Sequence, residues 1–160
     1  MYMEEKIAIQ KVIAEKFTSQ HISLSAAESC TGGNIAHVLT ELAGASEYFK
    51  GGVVSYTNEV KHNVLGVSQE NLDKYTAVSE SVVKEMSLGV KRLTKSDFAI
   101  STSGIAGPTG GTKENPIGTV WFGIASPNGV IAKKIIFKGS RKEIIVKATN
   151  KALELLLTYI

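Results

Sequence analysis

Three short stretches of this chain gather residue types that can do chemistry. The first is Glu28-Ser29-Cys30-Thr31-Gly32-Gly33. If it forms a strand-to-helix turn, Ser29 stands at the apex as a nucleophile. The amides of Cys30, Thr31, Gly32 and Gly33 then point outward, where a helix N-terminus can hold an oxyanion or a phosphate. The two glycines let a ligand approach the backbone closely. The arrangement is analogous to a nucleophile elbow, although the sequence is not Gly-x-Ser-x-Gly. The plainer role for Ser29 or Thr31 is to cap the helix that follows.

A serine nucleophile needs a base. His21 precedes the first predicted strand, His37 falls inside a helix and His62 neighbours Lys61, so the histidines offer no Ser-His-Asp reading. The second stretch, Tyr56-Thr57-Asn58-Glu59-Val60-Lys61, supplies a better candidate. A lysine desolvated in a cleft loses its proton near neutral pH and can take one from serine. Tyr56 could relay that proton or fix the amine. A solvated Lys61 and a core Tyr56 are the ordinary alternatives.

The third stretch runs from Ser101 to Gly111 and is rich in hydroxyls and glycines. Gly107 to Lys113 reads Gly-Pro-Thr-Gly-Gly-Thr-Lys, which lacks the Gly-Lys of a phosphate-binding P-loop, and a strand follows it instead of a helix. An ATPase is therefore rejected. The loop can still form a nest of amides for one phosphate, or a lid. Cys30 reads as a buried small hydrophobe, and no histidine stands ready to activate it. Three scattered histidines and one cysteine show no metal-ligand spacing, so no metal or organic cofactor is expected.

The elements that must position these residues follow from periodicity. Residues 2–20 predict an amphipathic helix through Ile9, Val12, Ile13 and Phe17. His21 to Ala27 alternates as a strand, and Ile35, Val38, Leu39 and Leu42 continue as a helix. Val53 to Tyr56 predicts a second strand after Gly51-Gly52, with short helices over 58–65 and 68–75. Ser79 caps a helix over 80–94 that carries Val82, Val83, Met86, Val90 and Leu93. Asp97 to Ser101 is a buried-type strand. Thr119–Ala125 and Val130–Phe137 flank Pro127-Asn128-Gly129 as a hairpin. Ser140 and Glu143 have capping-box spacing before a last helix that buries Ile145, Ala148, Ala152, Leu155 and Leu156.

Strands alternating with helices imply a parallel sheet covered on both faces, and the hairpin forces an antiparallel member. The expected fold is a single three-layer α/β/α domain over 1–160, with a mixed, mostly parallel sheet of about five strands. In such sheets ligands bind beyond the carboxyl ends of the strands, so the three stretches should share one rim.

Composition narrows the function. The chain has 160 residues, of which 43% are hydrophobic, enough for a core and too many for a disordered chain. A lone cysteine excludes a disulfide scaffold. No apolar run approaches the ~18 residues of a membrane span. The acidic start, Met1 to Lys6, is unlike a signal peptide, which predicts a cytoplasmic protein. The net charge of +3, with Arg92 and Arg141 the only arginines, favours a small anionic ligand over nucleic acid or a membrane.

Taken together the stretches resemble the C-terminal domain of the competence/damage-inducible protein CinA, a family that also occurs as stand-alone nicotinamide mononucleotide deamidases. The resemblance is carried by Ala27 to Gly33, Gly52 to Asn58 with Lys61, Thr102 to Gly111, and Pro116 to Trp121. It covers nearly the whole chain in order. It implies hydrolysis of the carboxamide of nicotinamide mononucleotide to nicotinate mononucleotide and ammonia, within pyridine nucleotide recycling. It further implies a serine–lysine site at Ser29 and Lys61 with Tyr56 close by, and a homo-oligomer. The substrate is expected among Thr102, Ser103, Gly104, Ile105, Ala106, Gly107 and Arg141, with its 5′-phosphate near the loop amides or Arg141. The full-length competence protein carries a further domain, whose activity is not carried over. The other reading is a nucleotide-binding or regulatory module without turnover. The chain departs from the family before its last helix: Ser140 replaces an acid and Ile145 stands where a second arginine is expected, while Arg141 is kept.

Overall fold

A computed structural model describes residues 2–160. Helix α1 (Tyr2–Ser19) leads into β1 (Leu24–Glu28), α2 (Asn34–Thr40) and, after a single 3-10 turn, β2 (Phe49–Val54). Helices α3 (Asn58–Leu65), α4 (Gln69–Tyr75) and α5 (Glu80–Thr94) follow, then β3 (Phe98–Gly104), β4 (Thr119–Ser126), β5 (Gly129–Ile136) and α6 (Arg141–Leu157). The sheet order is β2-β1-β3-β4-β5. β1 pairs in parallel with β2 and β3, while β4 is antiparallel to both β3 and β5. Four of the five strands thus point the same way, as an α/β sheet with a terminal hairpin requires.

The two faces carry separate cores. On one, Ile13, Phe17, Ile35, Val38, Leu39, Ala148, Ala152 and Leu156 of α1, α2 and α6 cover Leu24, Ala26, Ile100, Phe122 and Ile124. On the other, Leu65, Leu72, Val82, Met86 and Val90 of α3, α4 and α5 cover Ala27, Ala99 and Ala125. This is the three-layer arrangement expected from the alternation. β1 is buried along its whole length, which its small residues Ser25, Ala26 and Ala27 permit between two helical layers. Among the described residues no helix is long and apolar enough to cross a membrane.

Several sequence expectations shift. β1 begins at Leu24, because His21 takes a left-handed turn (φ 53) and Ser23 is fixed by its amide and hydroxyl donating to Asp97. β2 begins at Phe49 and runs through Gly51-Gly52, so those glycines lie within an edge strand and do not precede it. On α1, Val12 is exposed and Gln10 takes the buried place, its side-chain amide donating to the Val38 carbonyl. Leu93 lies exposed in the last turn of α5. On α6 the buried isoleucine is Ile144, and Ile145 is half-buried at the core's edge. Ser140 caps α6 as expected, its hydroxyl accepting from the Glu143 amide at 3.3 Å.

Candidate active site

The parallel pairing aligns Glu28 with Val54 and with Thr102, so β1, β2 and β3 end on one rim. Beyond it lies a cleft of about 280 Å³. Ser29, Cys30, Tyr56, Lys61, Arg141 and the segment Ser103 to Gly107 all line it.

Ser29 follows β1 directly, and its amide still donates to the Thr102 carbonyl of β3 at 3.0 Å. The chain then turns sharply, with Gly32 and Gly33 at φ of 58 and 97. Those angles suit glycine and would strain other residues. The Gly32 amide is spent on the Ser29 carbonyl, and the Asn34 amide on that of Thr31. The amides of Cys30 and Thr31 have no backbone acceptor in this turn.

Lys61 sits on α3, whose N-cap Thr57 accepts from the Val60 amide at 3.3 Å. Its side chain is only 1% exposed, a rare place for a lysine. Nζ lies 2.9 Å from Ser29 Oγ and 2.7 Å from the Ser55 carbonyl oxygen. Ser55 is itself held to β1, its amide donating to the Glu28 carbonyl at 2.8 Å. Burial drives the Lys61 pKa from 10.5 down to about 8. Part of Lys61 is therefore neutral at ordinary working pH, and a neutral amine at hydrogen-bond distance can act as a base toward a serine hydroxyl as that hydroxyl attacks a substrate. The neighbouring Cys30 thiol is held up to about 12, chiefly by burial, so it stays protonated. A buried protonated thiol is a poor nucleophile.

At the mouth, Arg141 bridges two walls. One guanidinium nitrogen donates to the Gly107 carbonyl at 2.8 Å and another to the Tyr56 hydroxyl at 2.7 Å. Tyr56 is 56% exposed, so it belongs to the rim and not to the core. The Ile105 amide is taken by the Thr119 carbonyl, while those of Ala106 and Gly107 make no such bond among the described residues. Ser103 gives its hydroxyl hydrogen to the Ala77 carbonyl at 2.7 Å. Among the described residues no carboxylate lines the cleft, whereas Lys61 and Arg141 do.

Four residues expected at the site stand away from its lining: Thr31, Gly32, Gly33 and Thr102. Thr31 and Thr102 are buried and bonded to each other, their hydroxyl oxygens 2.8 Å apart. Nor do the first helical amides of α2 face the cleft, since Ile35 and Ala36 donate to the Glu28 carboxylate. Sequence reasoning also missed lining residues. Asn58, Thr109 and Gly110 lie within stretches already singled out. Ala77 and Val78 carry no chemical signature; they form a wall through backbone carbonyls that accept from Ser103 and Asn115. His62 turns away, its Nδ1 lying 2.7 Å from the Val67 carbonyl oxygen.

The family model of the CinA C-terminal domain matches residues 6–160. The chain belongs to this family. A putative competence-damage inducible protein of Clostridium beijerinckii is 44% identical over 98% of this chain, which spans only 38% of that relative's length. The nicotinamide-nucleotide amidohydrolase PncC of Escherichia coli is 41% identical over 95% of this chain and 93% of its own length. Its namesake from Enterobacter agglomerans is 49% identical over 82% and 80%. The crystal structure of the competence/damage inducible protein CihA from Agrobacterium tumefaciens superposes with a TM-score of 0.94 at 37% identity, covering 96% of this chain and 94% of that one. The family assignment suggested by the motifs therefore holds along the whole sheet and its covering helices.

Proposed function

We propose that this chain is an amidohydrolase that converts nicotinamide mononucleotide and water to nicotinate mononucleotide and ammonia, with residues 1–160 working as one domain. The observation that carries this reading is the 2.9 Å contact between Lys61 Nζ and Ser29 Oγ in a buried site. The amidohydrolase relatives, matched over 80% and 93% of their own lengths, support the substrate class.

In the proposed reaction, neutral Lys61 accepts the Ser29 hydroxyl proton as Oγ attacks the carboxamide carbon. The Cys30 amide, on a residue that lines the cleft next to Ser29, steadies the oxyanion. Collapse breaks the C–N bond as the Lys61 ammonium gives its proton to the leaving NH2 group, which departs as ammonia. Water, deprotonated by the same amine, then cleaves the acyl ester and restores Ser29. The Ser55 carbonyl keeps Nζ in place through both half-reactions. Arg141 and the Ala106 and Gly107 amides form the phosphate end of the cleft. Tyr56 accepts from Arg141, which leaves its own O–H free to donate to substrate. The protein is proposed to work in the cytoplasm as a homo-oligomer, with no metal or organic cofactor.

Purified protein incubated with nicotinamide mononucleotide is expected to release ammonia and nicotinate mononucleotide in equal amounts. Tight binding without ammonia release would instead identify a nucleotide-binding module.

A further inference from the structure

Glu28 has no place in the proposed reaction, yet it is the most heavily bonded side chain beside it. It is 2% exposed and does not line the cleft. Its carboxylate accepts from the Thr31 hydroxyl at 2.6 Å, the Ile35 amide at 2.8 Å and the Ala36 amide at 3.0 Å. The Thr31 hydroxyl hydrogen is spent on the Glu28 carboxyl, so in the contact between the two threonines the Thr102 hydroxyl donates to Thr31. The backbone of Glu28 reaches the other half of the dyad. Its carbonyl accepts from the Ser55 amide at 2.8 Å and the Ser55 hydroxyl at 3.3 Å, and the Ser55 carbonyl holds Lys61 Nζ.

We infer that Glu28 is the positioning residue of the site: its carboxylate clamps the Ser29–Gly33 turn onto α2, while its carbonyl anchors the strand end that holds Lys61. The inference rests on Ser29 being the nucleophile. Physically, Ser29 is the residue next to Glu28; backbone bonds hold its amide to β3 and close the turn on itself, and the Glu28 carboxylate ties that turn to the first turn of α2. Three donors converge on two carboxylate oxygens. A glutamine of the same shape has one acceptor oxygen, and its NH2 would face a donor, so the turn must shift. A displacement of ~1 Å at a reacting atom can cost about a hundredfold in rate.

The test uses nicotinamide mononucleotide as substrate and a fluorophosphonate as a probe of serine nucleophilicity, at a temperature where each variant is folded. Wild type should be labelled at Ser29. Glu28→Gln should lose at least about tenfold in kcat and in labelling rate, with KM within about threefold and the pH midpoint unchanged. A purely structural role would lower Tm and leave kcat per folded molecule intact. Thr31→Val removes only the hydroxyl of the clamp. It should lower kcat in the same sense with Tm within about 4 °C of wild type, and it decides the matter if Glu28→Gln does not fold. Wild-type kcat and labelling in either folded variant would overturn the inference. Wild-type turnover without labelling of Ser29 would instead overturn the nucleophile reading on which it stands.

Discussion

Arg141 and Tyr56 meet across the mouth of the cleft, guanidinium to phenol at 2.7 Å, and the other acceptor of this arginine is the Gly107 carbonyl. Both partners are neutral. Among the described residues no carboxylate pairs with Arg141, so its charge is balanced by no protein anion. An arriving phosphate would exchange two neutral acceptors for a charged one, and such exchanges favour the ligand. Arg141→Gln should therefore raise KM for nicotinamide mononucleotide. A charge-assisted contact is worth about 1.5–3 kcal/mol, or roughly ten- to a hundredfold. Turnover of nicotinamide riboside, which lacks the phosphate, should change far less. Steady-state kinetics on both substrates checks this, and an equal loss on the two would remove Arg141 from the phosphate end.

If Lys61 is the proposed base, its lowered pKa should set the pH dependence of activity. With a pKa of about 8, roughly a tenth of the amine is neutral at pH 7. Activity should rise with pH about tenfold above that point and level off past 8. Lys61→Arg should be nearly inactive at every pH, because guanidinium keeps its proton. The same shift links to stability. Between about 8 and 10.5 the unfolded chain holds a proton on Lys61 that the folded chain has released. The Lys61 contribution to stability therefore increases as pH rises through that window and is at its lowest below about 8. Denaturant titrations at pH 7.5 and 10 should show this rise in wild type relative to Lys61→Met.

Packing around α3 offers a test away from the chemistry. Gly89 lies on the buried face of α5, and a Cβ there would collide with the Leu65 carbonyl at the end of α3. In an open helix, Gly→Ala stabilises by about 0.5–1 kcal/mol. Here Gly89→Ala should destabilise by about 1–3 kcal/mol, as overpacking does. It should also lower kcat, because the helix it displaces carries Lys61. Chemical denaturation and kcat together decide it: a more stable variant with unchanged kcat would mean that α3 is free to move without loss.

Much of this was legible in the sequence, for identifiable reasons. Ser79 and Ser140 cap α5 and α6 through their hydroxyls where the sequence placed them, whereas the caps Thr57 of α3 and Ser68 of α4 were not singled out, and Ser68 precedes the helix it was assigned to. The clustering of glycine and hydroxyl residues just after the predicted strands marked the rim, because ligands in such sheets bind beyond the carboxyl ends of the strands. Side-chain commitment was not legible. Thr31 and Thr102 have the hydroxyls of ligand-binding residues, yet the structure spends both on the chain that ends at Glu28. Gln10 looks like a surface residue until the Val38 carbonyl it reaches is known. The Ala77–Val78 wall contributes carbonyls, which every residue possesses and no pattern distinguishes.

Every step of the proposed reaction passes through one atom, Ser29 Oγ. The most direct measurement is the rate of ammonia release from nicotinamide mononucleotide by Ser29→Ala, compared with wild type under the same conditions. The variant loses only a hydroxyl at a site already fixed by its backbone bond to Thr102, so it should fold and bind the nucleotide. Its turnover should fall at least about a thousandfold, as removal of an activated nucleophile does. Ammonia release at the wild-type rate would contradict a Ser29 nucleophile and turn attention to the neighbouring Cys30.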